Sequence, residues 1–249
     1  MTHMRRVLWI LGLIGMSAPL GAQEVDTVRV GSASLEGARL LPGAVVMESF
    51  KRVDGVDTPT STTTQHVAPG RRDSEDVYVI STVHASPDGD TTRSSIVVRA
   101  ADFSLMHHRV KAARDSAAVT ATATYLTGWV ALPDQPVSLL DRQLDHPVFP
   151  VEGQIPWLFP LLPLAPGYAA TIPHYSEWAG AEQWKTARVT GTETVRRGAE
   201  AVDCWVVDGG ELFPGYRVTY WVAKNTRRII QGVARGAGTG PEYWSQAGP

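Results

Sequence analysis

The chain has 249 residues, of which 43% are hydrophobic and 19% are charged, and its formal net charge is -2. This length allows one large domain or two small ones, and the slight excess of acidic residues makes nucleic acid a poor candidate partner. Because Cys204 is the only cysteine, an intrachain disulfide is excluded as well, and packing alone must hold the fold together.

The N-terminus has the pattern of a secretory signal peptide. Arg5 and Arg6 precede an apolar run at residues 7–16, and small residues follow up to Ala22. We therefore expect residues 1–22 to be removed on export to the periplasm or cell envelope. The mature chain would have 21 Lys and Arg against 25 Asp and Glu, a net charge of -4. It would have no N-terminal cysteine for lipid attachment and no transmembrane span.

Residues 23–43 show no sustained period and predict an N-terminal arm with at most one short strand. From residue 44 onward, apolar and polar residues alternate with the period of a β-strand, and tight-turn signals such as Asp54-Gly55 separate the alternating runs. The predicted strands are residues 44–53, 58–67, 77–85, 91–100, 105–113 and 117–125. Strands joined by such short turns are typical of an antiparallel meander.

The alternation stops after residue 130, where prolines punctuate an Asp-rich segment and predict a long irregular connection. This connection leads into residues 148–166, VFPVEGQIPWLFPLLPLAP, a strongly apolar stretch. Pro156, Pro160 and Pro163 prevent a long regular helix there, and the stretch is too short to cross a bilayer. We expect a short broken helix or loop that the protein, a partner or an apolar ligand must cover.

Alternation resumes in the C-terminal part of the chain. Further strands are predicted at residues 168–174, 183–196, 201–208, 216–223 and 228–234. The Gly-rich residues 236–249 predict a flexible tail, so residues 44–235 make up a single β domain. An antiparallel sheet of this size must curl or split into two layers, and the apolar stretch would fill the concave face of a curled sheet.

Two segments of these C-terminal strands carry a family resemblance. AVDCWVVDGG, which begins at Ala201, and YRVTYWVAKNTRRIIQGVAR, which begins at Tyr216, resemble exported proteins of the domain-of-unknown-function family 3108. Members of that family are similar in fold to lipoprotein-carrier (Lol-type) half-barrels. The resemblance covers residues 139–234 and implies an all-β fold, a curved and incompletely closed antiparallel barrel with a helical or irregular plug. It implies no catalytic residues, and the chain departs from the family in its proline-broken plug.

Several ionisable residues need to be weighed as candidate sites. Asp141, Asp145, His146 and Glu152 form the densest cluster and could support acid-base chemistry, although a solvated loop is the simpler interpretation. His107 and His108 are adjacent on a strand, so they point to opposite faces and cannot share a metal ion. No nucleophile or phosphate-loop motif is present, so we predict no catalytic residue, metal or cofactor. Cys204 lies in a strand interior, where we expect it to be buried and unreactive.

The apolar stretch and the family resemblance together predict a non-enzymatic binding protein for a lipid or other apolar small molecule. The expected ligand-binding residues are Trp157, Leu158, Leu161, Leu162, Tyr168, Trp205 and Tyr220. Two alternatives stay open. One is a structural or interaction protein whose apolar stretch is simply its core, and the other is a hydrolase that uses the cluster from Asp141 to Glu152. The sequence indicates no oligomeric state.

Overall fold

A computed structural model describes residues 25–35, 37–150, 152–197, 200–238 and 240–248, with the backbone alone for residues 152–156 and 213. The predicted signal peptide, residues 1–22, lies outside the described residues. The strands are β1 Asp26–Thr27, β2 Gly43–Val53, β3 Val56–Arg72, β4 Glu75–Ala85, β5 Thr91–Arg99, β6 Leu105–Lys111, β7 Ser116–Ala121, β8 Tyr125–Ala131, β9 Ser138–Gln143, β10 Ala169–Ser176, β11 Ala181–Arg197, β12 Glu200–Phe213, β13 Tyr216–Ala223, β14 Ile229–Gly236 and β15 Glu242–Ala247. They confirm the predicted all-β class.

All fifteen strands belong to one sheet, in the order β1-β10-β11-β12-β13-β14-β15-β2-β3-β4-β5-β6-β7-β8-β9. The neighbours are antiparallel except for β1 and β10. Because β1 and β9 are the two ends of this order, hydrogen bonds do not close the sheet into a barrel. The incompletely closed antiparallel sheet expected from the resemblance is therefore confirmed.

Strand β15 is where the structure differs most from the sequence-based interpretation. It lies in the segment predicted to be a flexible tail, yet it pairs with β14 on one side and with β2 on the other. Trp244 stacks on Phe50 of β2, with 6.1 Å between the ring centroids, and Arg52 lies 4.4 Å from the centroid of the Trp244 ring. Glycines dominate the composition just before this strand, and its second partner, β2, is distant in the chain.

Two other predicted segments also differ. The alternating run at residues 117–125 is divided between β7 and β8 by a turn, in which the Tyr125 N–H donates to Thr122 Oγ1 at 3.0 Å and the Thr122 N–H donates to the Tyr125 carbonyl at 2.8 Å. Threonine hydroxyls favour such local turns as well as strands. The proline-punctuated connection, predicted to be irregular, contains the edge strand β9, which pairs with β8.

Residues 148 and 149 tie together two strands that are not neighbours in the sheet. The Leu105 N–H at the start of β6 donates to the Val148 carbonyl at 2.8 Å. Phe149 forms a parallel bridge with His174 of β10, and the Tyr175 N–H donates to the Phe149 carbonyl at 3.3 Å. The apolar stretch thus begins as a backbone link between β6 and β10.

The stretch continues as a 3₁₀ helix at Glu152–Leu161, which together with residues 162–164 we call the plug. The sequence predicted a short broken helix or loop, and the structure has a 3₁₀ helix in place of a regular α-helix, because prolines prevent regular α-helical hydrogen bonds there. Phe159 contacts Tyr220 of β13 edge-on, with 5.4 Å between the ring centroids, and Trp157 lies at 6.2 Å from Phe103 on the other side. Within the described residues, no helical segment has the length and apolar character needed to cross a membrane.

The position of β15 can be tested with a proline. Gln246→Pro should lower the free energy of unfolding by at least about 1–3 kcal/mol, because a strand with neighbours on both sides loses a ladder hydrogen bond whichever way the N–H points. Gln246→Ala removes only a side-chain contact and should stay within about 1 kcal/mol of the wild type. Denaturant unfolding of both variants is the measurement, and equal stabilities would show that these residues are not part of the sheet.

Candidate functional site

A cavity of about 470 Å³ lies between the plug and the inner faces of β2, β3 and β13–β15. Its volume falls within the range of small-molecule sites in proteins. Most of its lining is apolar, contributed by Leu40, Leu41, Val45, Met47, Val67, Trp157, Pro160, Leu161, Leu212, Tyr220 and Ile229. The cavity therefore offers an apolar surface on the concave side of the sheet, beside the plug.

Strand alternation determines which side chains reach this cavity. Val45 and Met47 of β2 line it, whereas Val46 and Glu48, which alternate with them along the strand, are exposed on the opposite face. Val67 and Gln65 line the cavity from β3 in the same way. The loose alternation of β2 in the sequence indicated these faces, but it did not indicate that one face lines a cavity.

Two glycines make room for the Tyr220 ring at the cavity wall. A Cβ atom on Gly209 would lie 2.8 Å from Tyr220 Cε2, and one on Gly232 would lie 3.2 Å from Tyr220 Cδ1. The ring can lie flat between β12 and β14 only because both neighbours lack side chains. Burial raises the pKa of the Tyr220 hydroxyl above its usual value, so the group stays neutral in the physiological range.

The plug residues expected to bind ligand divide into two groups. Trp157 and Leu161 line the cavity, as does Tyr220. Leu158 and Leu162 are 1% and 0% exposed in the main core and are absent from the lining. Only one side of the plug therefore faces the cavity.

Tyr168 and Trp205, the other two residues expected to bind ligand, are not in the cavity lining. The Tyr168 hydroxyl donates to Asp26 Oδ2 at 3.3 Å, and its pKa is raised, first by burial and then by the Asp26 charge. Lys224 Nζ lies 4.6 Å from the centroid of the Trp205 ring. In place of these residues, the structure adds the inner face of β2 and Leu40 and Leu41 of the arm, which have no motif that sequence analysis could detect.

A second, wider groove of about 740 Å³ has mixed charge. Glu75, Asp76 and Arg99 line it together with Tyr78. The Arg99 guanidinium donates to Glu75 and lies 3.8 Å from Asp102. Arg39 lines this groove as well as the apolar cavity. Because Glu75 and Arg99 are paired with each other, the groove is a weaker candidate for ligand binding than the apolar cavity.

The structure also contains a buried polar network that the sequence did not indicate. His108 Nε2 shares a hydrogen bond with Ser94 Oγ at 3.2 Å, and His108 Nδ1 lies 2.7 Å from Glu177 Oε1. Ser94, His108 and Glu177 are 8%, 2% and 5% exposed. The neighbouring His107 lies on the other face of β6, with its Nδ1 atom 3.0 Å from Thr120 Oγ1. Adjacent residues of a strand point to opposite faces, so this arrangement was expected.

The order of serine, imidazole and carboxylate in this network is that of a catalytic triad. None of the three residues lines either cavity, and their burial keeps a substrate away from Ser94. The network instead connects β5 and β6 with the segment that follows β10. We interpret it as a polar tie between parts of the sheet that no strand ladder joins.

Two members of the cluster proposed for a hydrolase, Asp141 and His146, have separate partners, and the side chain of Glu152 lies outside the part of the chain that the structure describes. Asp141 accepts a hydrogen bond from the Tyr125 hydroxyl at the sheet edge. His146 Nε2 lies 2.6 Å from Arg29 Nη1 and 3.2 Å from Glu182 Oε2. The Asp141 and His146 side chains are thus engaged with different partners, and the structure offers no arrangement of the two for acid-base chemistry.

Comparisons with known proteins identify a family that has no assigned function. The family profile described as "Protein of unknown function (DUF3108)" matches residues 52–233. Among solved structures, the chain is similar to the beta-barrel-like protein of domain of unknown function DUF1849 from Brucella abortus, with a TM-score of 0.46 and 11% identity over 84% of this chain and 97% of that one. The search of curated proteins found no significant match.

The polar tie predicts a stability difference between two acidic residues. Glu177→Ala should lower the free energy of unfolding by about 1–3 kcal/mol, because it leaves His108 buried without its partner. Asp141→Ala, at an exposed position, should change it by no more than about 0.5 kcal/mol. Urea denaturation of both variants is the measurement. If Glu177→Ala proves as stable as Asp141→Ala, the polar tie does not stabilise the fold.

Cys204 provides a test of local burial. Its side chain is fully buried, and burial, followed by the charges of Asp203 and Glu193, raises the pKa of the thiol to about 11. A maleimide should therefore fail to label the native protein at pH 8, where the thiolate is scarce, and should label it fully in denaturant. Rapid labelling under native conditions would contradict both the burial and the raised pKa.

Proposed function

The chain belongs to the DUF3108 family of proteins of unknown function, and we propose that it is an exported, non-enzymatic binding protein for a lipid or other apolar ligand. In this proposal the ligand occupies the cavity beside the plug. The observation that carries it is the cavity of about 470 Å³, whose lining is mostly apolar. Moving an apolar chain from water onto such a lining is favourable.

The plug supports the proposal in a second way. Trp157 is only 5% exposed, and its indole N–H has no hydrogen-bond acceptor among the described residues. A buried donor without an acceptor lowers stability, and deviations of this kind are concentrated at functional sites. A plug selected only as core would be expected to satisfy this group.

The alternative that the protein has no ligand, and that the plug is plain core, draws on the complete burial of Leu158 and Leu162. The two interpretations differ in whether a ligand occupies the cavity in solution. Intact-protein mass spectrometry under gentle conditions separates them, because a binding protein purified from its own envelope should carry lipid at a defined mass, whereas a plain core should not.

A pair of adjacent substitutions tests the site directly. Val45→Trp places a large ring inside the cavity and should abolish binding of a fluorescent fatty-acid analogue, with little loss of stability because the ring fills existing space. Val46→Trp adds the same ring to the exposed face of β2 and should leave binding unchanged. The measurement is fluorescence titration with a melting curve for each variant. Equal probe affinities in the two variants would place the binding elsewhere, and no binding by the wild type would refute the proposal.

A further inference from the structure

The charged part of the cavity lining is uniformly basic. Arg39 of the arm and Arg227 and Arg228 of the β13–β14 connection line the cavity, and among the described side chains no Asp or Glu lines it. This local excess of positive charge occurs in a chain whose overall net charge is -2. It is therefore a specific feature of the cavity and does not follow from the composition.

The hydrogen bonds of these arginines leave their charge unneutralised. Arg227 Nη2 donates to the Leu162 carbonyl at 3.0 Å, and Arg39 Nη1 donates to the Ala38 carbonyl at 2.7 Å. Both acceptors are neutral. Across the described part of the chain, no carboxylate forms an ion pair with any of the three, whereas Arg52, Arg99, Arg217 and Arg235 each have such a partner.

The position of Arg228 brings its charge to the start of β2. Its Nη2 atom lies 3.6 Å from where a Cβ on Gly43 would be, so the guanidinium rests close to bare backbone. Arg228 is half-buried and Arg39 is exposed, so an incoming anion can reach both. Arg227 has a different role, since its bond to Leu162 fastens the plug to the β13–β14 connection.

We propose that the ligand is a single-chain anionic amphiphile, whose apolar chain lies in the cavity and whose carboxylate or phosphate is held by Arg228 and Arg39. This inference rests on the proposed function and specifies the chemistry of its ligand. A guanidinium matches the geometry of both anions through paired N–H groups, and close to an apolar, poorly hydrated wall its attraction for an anion is stronger than in open water. The cavity thus provides both halves of an amphiphile with a complementary surface.

The test compares ligands that share one acyl chain and differ in the head group. Palmitate carries a carboxylate, lysophosphatidate with the same chain carries a phosphate, and monopalmitoylglycerol is neutral. Affinities are measured by displacement of the fluorescent probe from the full-length protein, below the micellar concentration of each ligand. We expect one or both anions to bind at least about tenfold more tightly than the neutral analogue, as for a charge-assisted hydrogen bond that the neutral head group lacks. Whichever anion binds more tightly identifies the head-group class.

Variants then assign the preference to the arginines. Arg228→Gln and Arg39→Gln should each weaken anion binding several-fold and leave the neutral analogue unchanged. The matched control is Arg93→Gln, at an exposed position on the outer face of β5, and it should change neither. Arg227 is not substituted, because losing its bond to Leu162 would loosen the plug. A melting curve for each variant identifies any that is not folded.

The possible failures are distinguishable. Equal affinity for palmitate, lysophosphatidate and monopalmitoylglycerol, or an anion preference that survives both arginine substitutions in folded proteins, would overturn the inference and leave the proposed function intact. Absence of binding by all three ligands would refute the proposed function and the inference together.

Discussion

Burial of the plug against the concave face of the sheet supplies the contact on which the rest of the structure depends. The sheet ends in two strands that do not pair with each other, so hydrogen bonds alone leave it open. Phe159 packs on Tyr220 at one side and Trp157 on Phe103 at the other, and the plug thereby joins the C-terminal strands to the first meander. Each such fully buried side chain contributes roughly 1.5–3 kcal/mol, which is substantial beside the marginal stability of a typical domain.

Two backbone devices complement this packing. Strand β15 joins the halves of the sheet by pairing with β14 and β2, and residues 148 and 149 link β6 to β10 where no ladder exists. The buried contacts among Ser94, His108 and Glu177 act in the same region as the second link. The open sheet is thus held by one strand, one crossing segment and one polar tie, in addition to the apolar core.

The cavity exists because the plug fills the concave face only in part. Leu158 and Leu162 are packed completely, while Trp157 and Leu161 border empty space. Its apolar wall and its basic residues suggest opposite requirements for an occupant, one avoiding water and the other attracting an anion. An amphiphile of the kind proposed would satisfy both.

The sequence by itself determined the strand class, the position of the plug and the lack of a regular α-helix in it, because period-2 alternation and the backbone chemistry of proline are local properties. It also indicated Trp157, Leu161 and Tyr220, whose apolar character is evident wherever they lie. Tertiary structure decided that β15 is a strand, that Val45 and Met47 face a cavity, and that Arg39 lines the same cavity as Arg228, 189 positions further along the chain. These features depend on which distant segments meet across the sheet. The alternation of apolar and polar residues within a strand does not identify the remote strand with which it pairs.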